Sequence, residues 1–341
     1  MALATAHERE LSAVTVSGFE ELVPCDLCGA DDAETLYTRG RFRMALRNVI
    51  CRRCGLVYIN PRMPQARYDD FCLESYRKMY RKPTEPTASF RRLERVRGGA
   101  ILHCVASRLP PRASVFEVGC RTGDVLDLFK KQAGCNVAGV EPDRTLATFA
   151  EHALGLAVRR GLFESVEVSP QSVDLMILCH VLEHAYLPTR WLEKIRGMLR
   201  AEGLVYIEVP NLRKPYGALD WYFQHAHPYS FTPKTLLLLA RKTGFVVVQA
   251  GLDHPTLRVL LERNEAGLRA QGWAGDDAQD IRAALERHKR TYRLVGRWVQ
   301  AWQRGEGWSR RLLRGWLERC LGSERTERLL AALRGQRNAV R

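Results

Sequence analysis

From Ser114 to about Arg263 the chain alternates short apolar runs with amphipathic stretches, and that alternation leaves few folds open. The runs are SVFEV, NVAGVE, SVDLMILC, GLVYIEV, FVVVQAG and TLRVLLE. Helical periodicity falls near residues 123–133, 143–153, 189–200 and 233–243. Strands that are apolar on both faces and separated by helices predict a parallel, doubly wound α/β sheet. The last two runs are joined by LDHP, too short for a helix, so they are expected to pair antiparallel as a closing hairpin. A chain of 341 residues with 46% hydrophobic content holds enough apolar surface for this domain and additions around it.

The additions separate by pattern. Residues 1–70 carry paired cysteines, 71–110 read as a helical linker ending at Pro110-Pro111, 111–263 are the main domain, and 264–341 are helical and basic. Of the net charge of +15, a surplus of +11 lies in residues 281–341, with 16 Lys+Arg against 5 Asp+Glu. An argument about anionic partners therefore concerns this extension. It sets Trp298, Trp302, Trp308 and Trp316 among arginines, a composition suited to an anionic membrane surface, a lipid-linked or anionic glycan, or, less well, nucleic acid. A helical extension packed on the core is the plain alternative. No apolar run reaches the roughly 18 residues a membrane-spanning helix needs. The first 24 residues lack a signal-peptide pattern and hold four glutamates, so the expected location is the cytoplasm, with peripheral membrane contact through the extension.

The first strand runs into FEVGCRTG, a turn with Gly119 and Gly123 where the backbone can approach a ligand closely. In open α/β sheets ligands bind at this end of the strands. Twenty-four positions after Glu117, Glu141 ends the second strand in GVEPD, well placed for a ribose diol. A dinucleotide fits poorly: the third glycine is missing, with Arg121 inside the turn, and Glu117 would repel a pyrophosphate. An acid among close-approach glycines favours a cation. Arg121 is tolerable if its φ is negative and its side chain points to solvent.

FEVGCRTG, GVEPD, VDLMILCHVLEH and EGLVYIEVPN together, over roughly residues 90–263, resemble class I S-adenosylmethionine (SAM)-dependent methyltransferases. The resemblance implies a seven-stranded Rossmann-like sheet with an antiparallel final hairpin. It implies that the backbone around Glu117, Gly119, Cys120 and Gly123 cradles the amino-acid part of SAM and that Glu141 holds the ribose. Glu164 falls on the adenine side, and Cys179 and His180 border the methionine part.

Cys25, Cys28, Cys51 and Cys54 form C-x2-C-x22-C-x2-C, the spacing of a closed tetrahedral zinc ribbon, with iron the minor alternative. Four thiolates leave no open position, so such a Zn2+ is structural. With this module in front, the chain resembles bacterial deoxysugar C-methyltransferases and related glycan methyltransferases. That resemblance points to LDWYFQHAHPYSF as the catalytic loop, with His225 as the base and Tyr222 and His227 beside it. Phe223 and Gln224 stand where those enzymes have histidine and glutamate, which favours O-methylation of a sugar over C-methylation. Tyr76, His184, Asn211 and Tyr229 are the candidate substrate contacts. An RNA methyltransferase with a zinc ribbon and a non-catalytic scaffold on the same fold are the competing readings.

Overall fold

The computed structural model describes residues 20–80, 86–264 and 275–304, with side chains through Tyr292. Strands β1 (Ala33–Arg39), β2 (Ala45–Cys51) and β3 (Val57–Ile59) come first, followed by helices α1 (Gln65–Asp70), α2 (Tyr76–Tyr80) and α3 (Ala88–Val105). The main domain then runs β4 (Ser114–Val118), α4 (Asp124–Ala133), β5 (Asn136–Glu141), α5 (Arg144–Leu154), β6 (Ala157–Arg160), β7 (Val173–Cys179), α6 (Pro188–Met198) and β8 (Leu199–Pro210). It closes with α7 (Leu219–Tyr222), β9 (Tyr229–Ser230), α8 (Pro233–Lys242), β10 (Phe245–Gly251) and β11 (Thr256–Arg263), and α9 (Ala278–Arg304) follows.

Seven strands form one sheet in the order β10-β11-β8-β7-β4-β5-β6. β4 pairs in parallel with β5 and β7, and β7 with β8, whereas β11 runs antiparallel to both β8 and β10. The expected alternation and the closing hairpin are both present. β7 is buried at every residue, as a central strand covered on both faces must be. β6 was missing from the sequence reading, and its burial explains why: in AVRR only Val158 is buried, so no apolar run marks this edge strand.

Local chemistry starts the helices where the pattern places them. The Asp143 carboxylate accepts from the Leu146 amide at 2.9 Å and caps α5. Thr232 and Thr235 form a reciprocal capping box at α8, with Pro233 in the first turn. One face of the sheet is covered by Ile101 and Val105 of α3 and Val125, Leu126 and Phe129 of α4.

The other face meets the cysteine module. Leu27, Val49, Leu56 and Tyr58 share one core with Val118, Met176, Leu178 and Ile207. β1, β2, β3 and β9 form a second, four-stranded sheet, in which Val57 pairs with Ser230 and Tyr58 with Tyr229. The last strand of that sheet is therefore supplied by the loop after β8. The beginning of α9 is also part of the fold, since Ile281 and Leu285 are buried against Leu46, Ile50 and Leu219. The expected basic tail lies outside the described residues beyond 304, and the side chains of Trp298 and Trp302 do as well.

Candidate active site

The turn after β4 carries out the close approach its glycines predict. Gly119 has φ +67°, and a Cβ there would lie 2.8 Å from Val181 Cγ2. Gly123 has φ +73°, and its Cβ would lie 2.5 Å from Leu156 Cδ1 and 3.0 Å from Ala150 Cβ. The amides of Gly119 and Cys120 both donate to the Val140 carbonyl, at 2.8 and 3.1 Å, tying the turn to β5.

Arg121 corrects the sequence expectation. Its φ is +52°, and its side chain turns inward to put Nη1 2.8 Å from Glu94 Oε1. Glu94 also takes Arg97 through both oxygens, at 2.8 and 2.9 Å. The reason is charge. Glu94 and Glu117 are buried at 5% and 3% exposure, and two buried carboxylates need cations close by. Glu117 Oε2 has no hydrogen-bond partner. Burial, and then the charge of Glu94, push its carboxyl well above the usual carboxylate range.

Glu141 stands at the carboxyl end of β5 with its carboxylate pinned from below. Oε2 accepts from the Arg121 amide at 2.8 Å and Oε1 from the Asp143 amide at 2.9 Å. It faces an open cavity whose walls include Gly119, Arg121, Glu164, Tyr76, His180 and His184. On the far side, Glu164 Oε1 accepts from Trp191 Nε1 at 2.9 Å while Oε2 has no partner. Asp69 of α1 shares this wall, and burial followed by the charge of Glu164 raises its carboxyl to about 6.

The opposite end of the cavity is a wall of histidines. His180, just past β7, lies between two carboxylates, with Nε2 3.2 Å from Glu208 and Nδ1 3.5 Å from Glu183. Burial alone would lower its pKa, but the hydrogen bonds to Glu183 and Glu208 outweigh it and raise it. His184 meets the ring of Tyr76 edge-on at 5.2 Å and that of His227 at 4.7 Å. Tyr68 Oη donates to the carbonyls of His184 and Ala226, at 2.9 and 3.0 Å, and so clamps the two loops together.

Placement divides the sequence candidates. Gly119, Glu141, Glu164, His180, His184 and Tyr76 line the cavity. Glu117, Cys120, Gly123 and Cys179 are buried and absent from its lining. His225 faces a separate small interior void beside Arg62 and Tyr186, and burial lowers its pKa to about 4. Tyr222 is buried against Tyr216 and Phe223. Tyr229 is a core residue whose hydroxyl accepts from Arg62 at 2.9 Å. Asn211 holds a turn, with Nδ2 donating to the His254 carbonyl at 2.8 Å and Oδ1 accepting from the Arg213 amide at 3.0 Å. Glu183, Glu94 and Arg97 were not singled out in the sequence. The acid next to His184 in HVLEH was the available signal for the first.

The four cysteines converge as their spacing predicts. Cys25 and Cys54 sulfurs are 3.5 Å apart, as are those of Cys28 and Cys51, and all four lie within 4.8 Å of one another. A tetrahedral ion with metal–sulfur bonds of about 2.3 Å places its ligands roughly 3.8 Å apart, so the set fits Zn2+ after minor adjustment. The Gly29 amide donates to the Cys25 carbonyl and the Gly55 amide to the Cys51 carbonyl, at 2.7 and 2.9 Å, closing the two turns.

Comparisons with known proteins match the middle of the chain. Residues 90–250 match a family model described as a methyltransferase domain. Two Mycobacterium tuberculosis proteins, from strains CDC 1551 and H37Rv, each named "Probable S-adenosylmethionine-dependent methyltransferase", are 29% identical over 185 residues. Each match covers 52% of this chain and 65% of the relative, so the chain spans under two thirds of their length. Among solved structures, a Burkholderia thailandensis 1,6-didemethyltoxoflavin-N1-methyltransferase has 18% identity and a TM-score of 0.47, over 62% of this chain and 96% of its own. A SAM-dependent methyltransferase from Aquifex aeolicus has 16% identity and a TM-score of 0.42, over 50% of this chain and 92% of its own.

Proposed function

We propose a function from the premise that residues 90–250 are a SAM-dependent methyltransferase domain of the class I fold. The chain transfers the methyl group of SAM to a sugar hydroxyl, in a nucleotide sugar or a bacterial glycan. One observation carries this reading: a single cavity joins the pinned carboxylate of Glu141 to the imidazole of His184. The ribose of SAM binds Glu141, its adenine lies toward Glu164, and its sulfonium reaches the Gly119 turn. His184 then meets the acceptor oxygen at the other end.

Methyl transfer is an in-line displacement at a carbon already activated by the sulfonium. The protein has to align the two reactants and assist loss of one proton. His180 is held by Glu183 and Glu208, and His184 is the other imidazole that lines the cavity and stands toward the acceptor. Aromatic walls from Tyr68 and Tyr76 suit the apolar face of a sugar ring. His225 is not part of this cavity, so it is not the base in either form of the reaction, and the preference for O-methylation rests on Phe223 and Gln224. The Cys25–Cys28–Cys51–Cys54 set, filled by Zn2+, holds the module that supplies Tyr68 and Tyr76 in place over the cavity mouth. The basic extension delivers a lipid-linked or anionic acceptor at the cytoplasmic membrane face. A truncation that tests this should end at 304, because Ile281 and Leu285 belong to the core.

The test is transfer of tritiated methyl from SAM, with nucleotide sugars, extracted glycan and RNA offered in parallel. The reading expects base-stable label in an O-methyl sugar. Label confined to RNA, or on a sugar carbon, overturns it.

A further inference from the structure

A second group of metal-ligating side chains stands at the substrate end of the cavity, away from the cysteines. One ligand atom each from Glu183, His184 and His227 lies within 4.8 Å of the others. Two imidazoles and one carboxylate form a set that holds a divalent transition metal and leaves positions for a ligand, and of the three His184 lines the cavity while Glu183 and His227 are buried beside it. Two ligands at about 2.1 Å from one ion sit at most roughly 4.2 Å apart, so a small side-chain rotation closes the group.

A separate observation points to an ion. Glu183 is buried, with its side chain 3% exposed, yet Oε2 has no hydrogen-bond partner. A buried carboxylate oxygen without a partner is costly, and an ion beside it removes the cost. The surroundings also have the order that metal ligands require. His180 Nδ1 approaches Glu183 Oε1 at 3.5 Å and orients that carboxylate, while the Gln224 side chain packs against the His227 ring, with Nε2 2.7 Å from His227 Nε2 and 3.2 Å from Nδ1. Tyr68 binds the carbonyls of His184 and Ala226, the latter next to His227, and fixes the separation of the two loops.

We infer that Glu183, His184 and His227 bind one divalent transition-metal ion at the acceptor end of the cavity, in addition to the ion of the four cysteines. Its open positions take an oxygen of the acceptor. The chemical step rests on the methyl-transfer reading above. The acceptor hydroxyl bound to the ion gives its proton to water at the cavity mouth. Its oxygen lone pair forms the bond to the SAM methyl carbon, and the carbon–sulfur pair stays on sulfur. The products are the methyl ether, S-adenosylhomocysteine and one proton.

The test titrates Mn2+ into the full chain loaded with a single equivalent of zinc, which the four thiolates take, and follows loss of the free-ion electron paramagnetic resonance signal. Four soft thiolates already holding zinc do not compete for Mn2+. The expected result is one Mn2+ per chain, bound at least tenfold more weakly in His227→Gln and Glu183→Gln. Circular dichroism and SAM affinity should be unchanged in both variants, because neither residue lines the part of the cavity assigned to the cofactor. No bound Mn2+ or Co2+ in the wild-type chain overturns the inference whatever the variants do, and so does undiminished binding in folded variants. Because no acceptor is needed, ion binding can succeed while the sugar reading fails, and the reverse.

Discussion

Replacing Arg121 by glycine sets two effects of known sign against each other. Glycine relieves a non-glycine residue at φ +52°, a conformation costing about 1–2 kcal/mol. It also removes one of the two cations on Glu94, which is 5% exposed. Stripping a partner from a buried ion pair costs about 3–5 kcal/mol. The lower end applies, since Arg97 still holds Glu94 through both oxygens. The ion pair wins, and Arg121→Gly should lose about 1–2 kcal/mol overall, or roughly 2–8 °C in Tm at about 2–4 °C per kcal/mol. Arg121→Ala keeps the strain, loses the pair, and should be about 1 kcal/mol worse than the glycine variant. Glu94→Gln combined with Arg121→Gly should cost less than the two singles added, because they share one interaction. Denaturant unfolding at low salt measures all of these. If Arg121→Gly equals or exceeds the wild type in stability, the side chain is not the counter-charge of Glu94 and the account of this turn is wrong.

Other expectations follow from the same geometry. Gly123→Ala brings a Cβ to 2.5 Å from Leu156 and into φ +73°, so it should destabilise by about 2–4 kcal/mol and weaken SAM binding; a normal melt speaks against the close approach. Glu117 has its carboxyl raised in the folded state, so the stability this protonated group brings is full below 4.5 and is lost as pH rises through the raised value. Glu117→Gln should therefore raise Tm at pH 8 by the equivalent of about 1–3 kcal/mol, and much less at pH 5; equal shifts at both pH values would count against it. Elemental analysis should find one zinc held through mild chelation, and Cys51→Ser should lose it together with several degrees of Tm, since Cys51 ends the central strand pairing β1 and β3. Retained zinc in that variant removes the four-thiolate site.

What could be read from the sequence was the part governed by local periodicity. Strands such as SVDLMILC are apolar at most positions because they lie in the middle of the sheet, and the helices between them have one apolar face. β6, with a single buried residue, and β9, with two residues, carry no such signal; they exist because neighbouring strands offer them unpaired edges. That Gly119 and Glu141 face one cavity was legible because glycines and strand-end acids lie close together in sequence. The histidine end was less so. His225 and His227 are two residues apart in one loop, yet one faces an interior void and the other packs on His184. That choice is made by Tyr68, more than 150 residues away in the chain, which the sequence does not connect to the loop. The direction of Arg121 was likewise set by Glu94 in α3, and no property of the turn itself announces that partner.

The most direct measurement is calorimetric titration of SAM into the wild-type chain and into Glu141→Ala. Glu141, pinned by the Arg121 and Asp143 amides, should contribute charge-assisted hydrogen bonds to the ribose worth about 1.5–3 kcal/mol. One SAM should bind per chain, and the folded variant should lose affinity by roughly 10- to 150-fold. No heat with the wild type, or equal affinity in the two proteins, contradicts this.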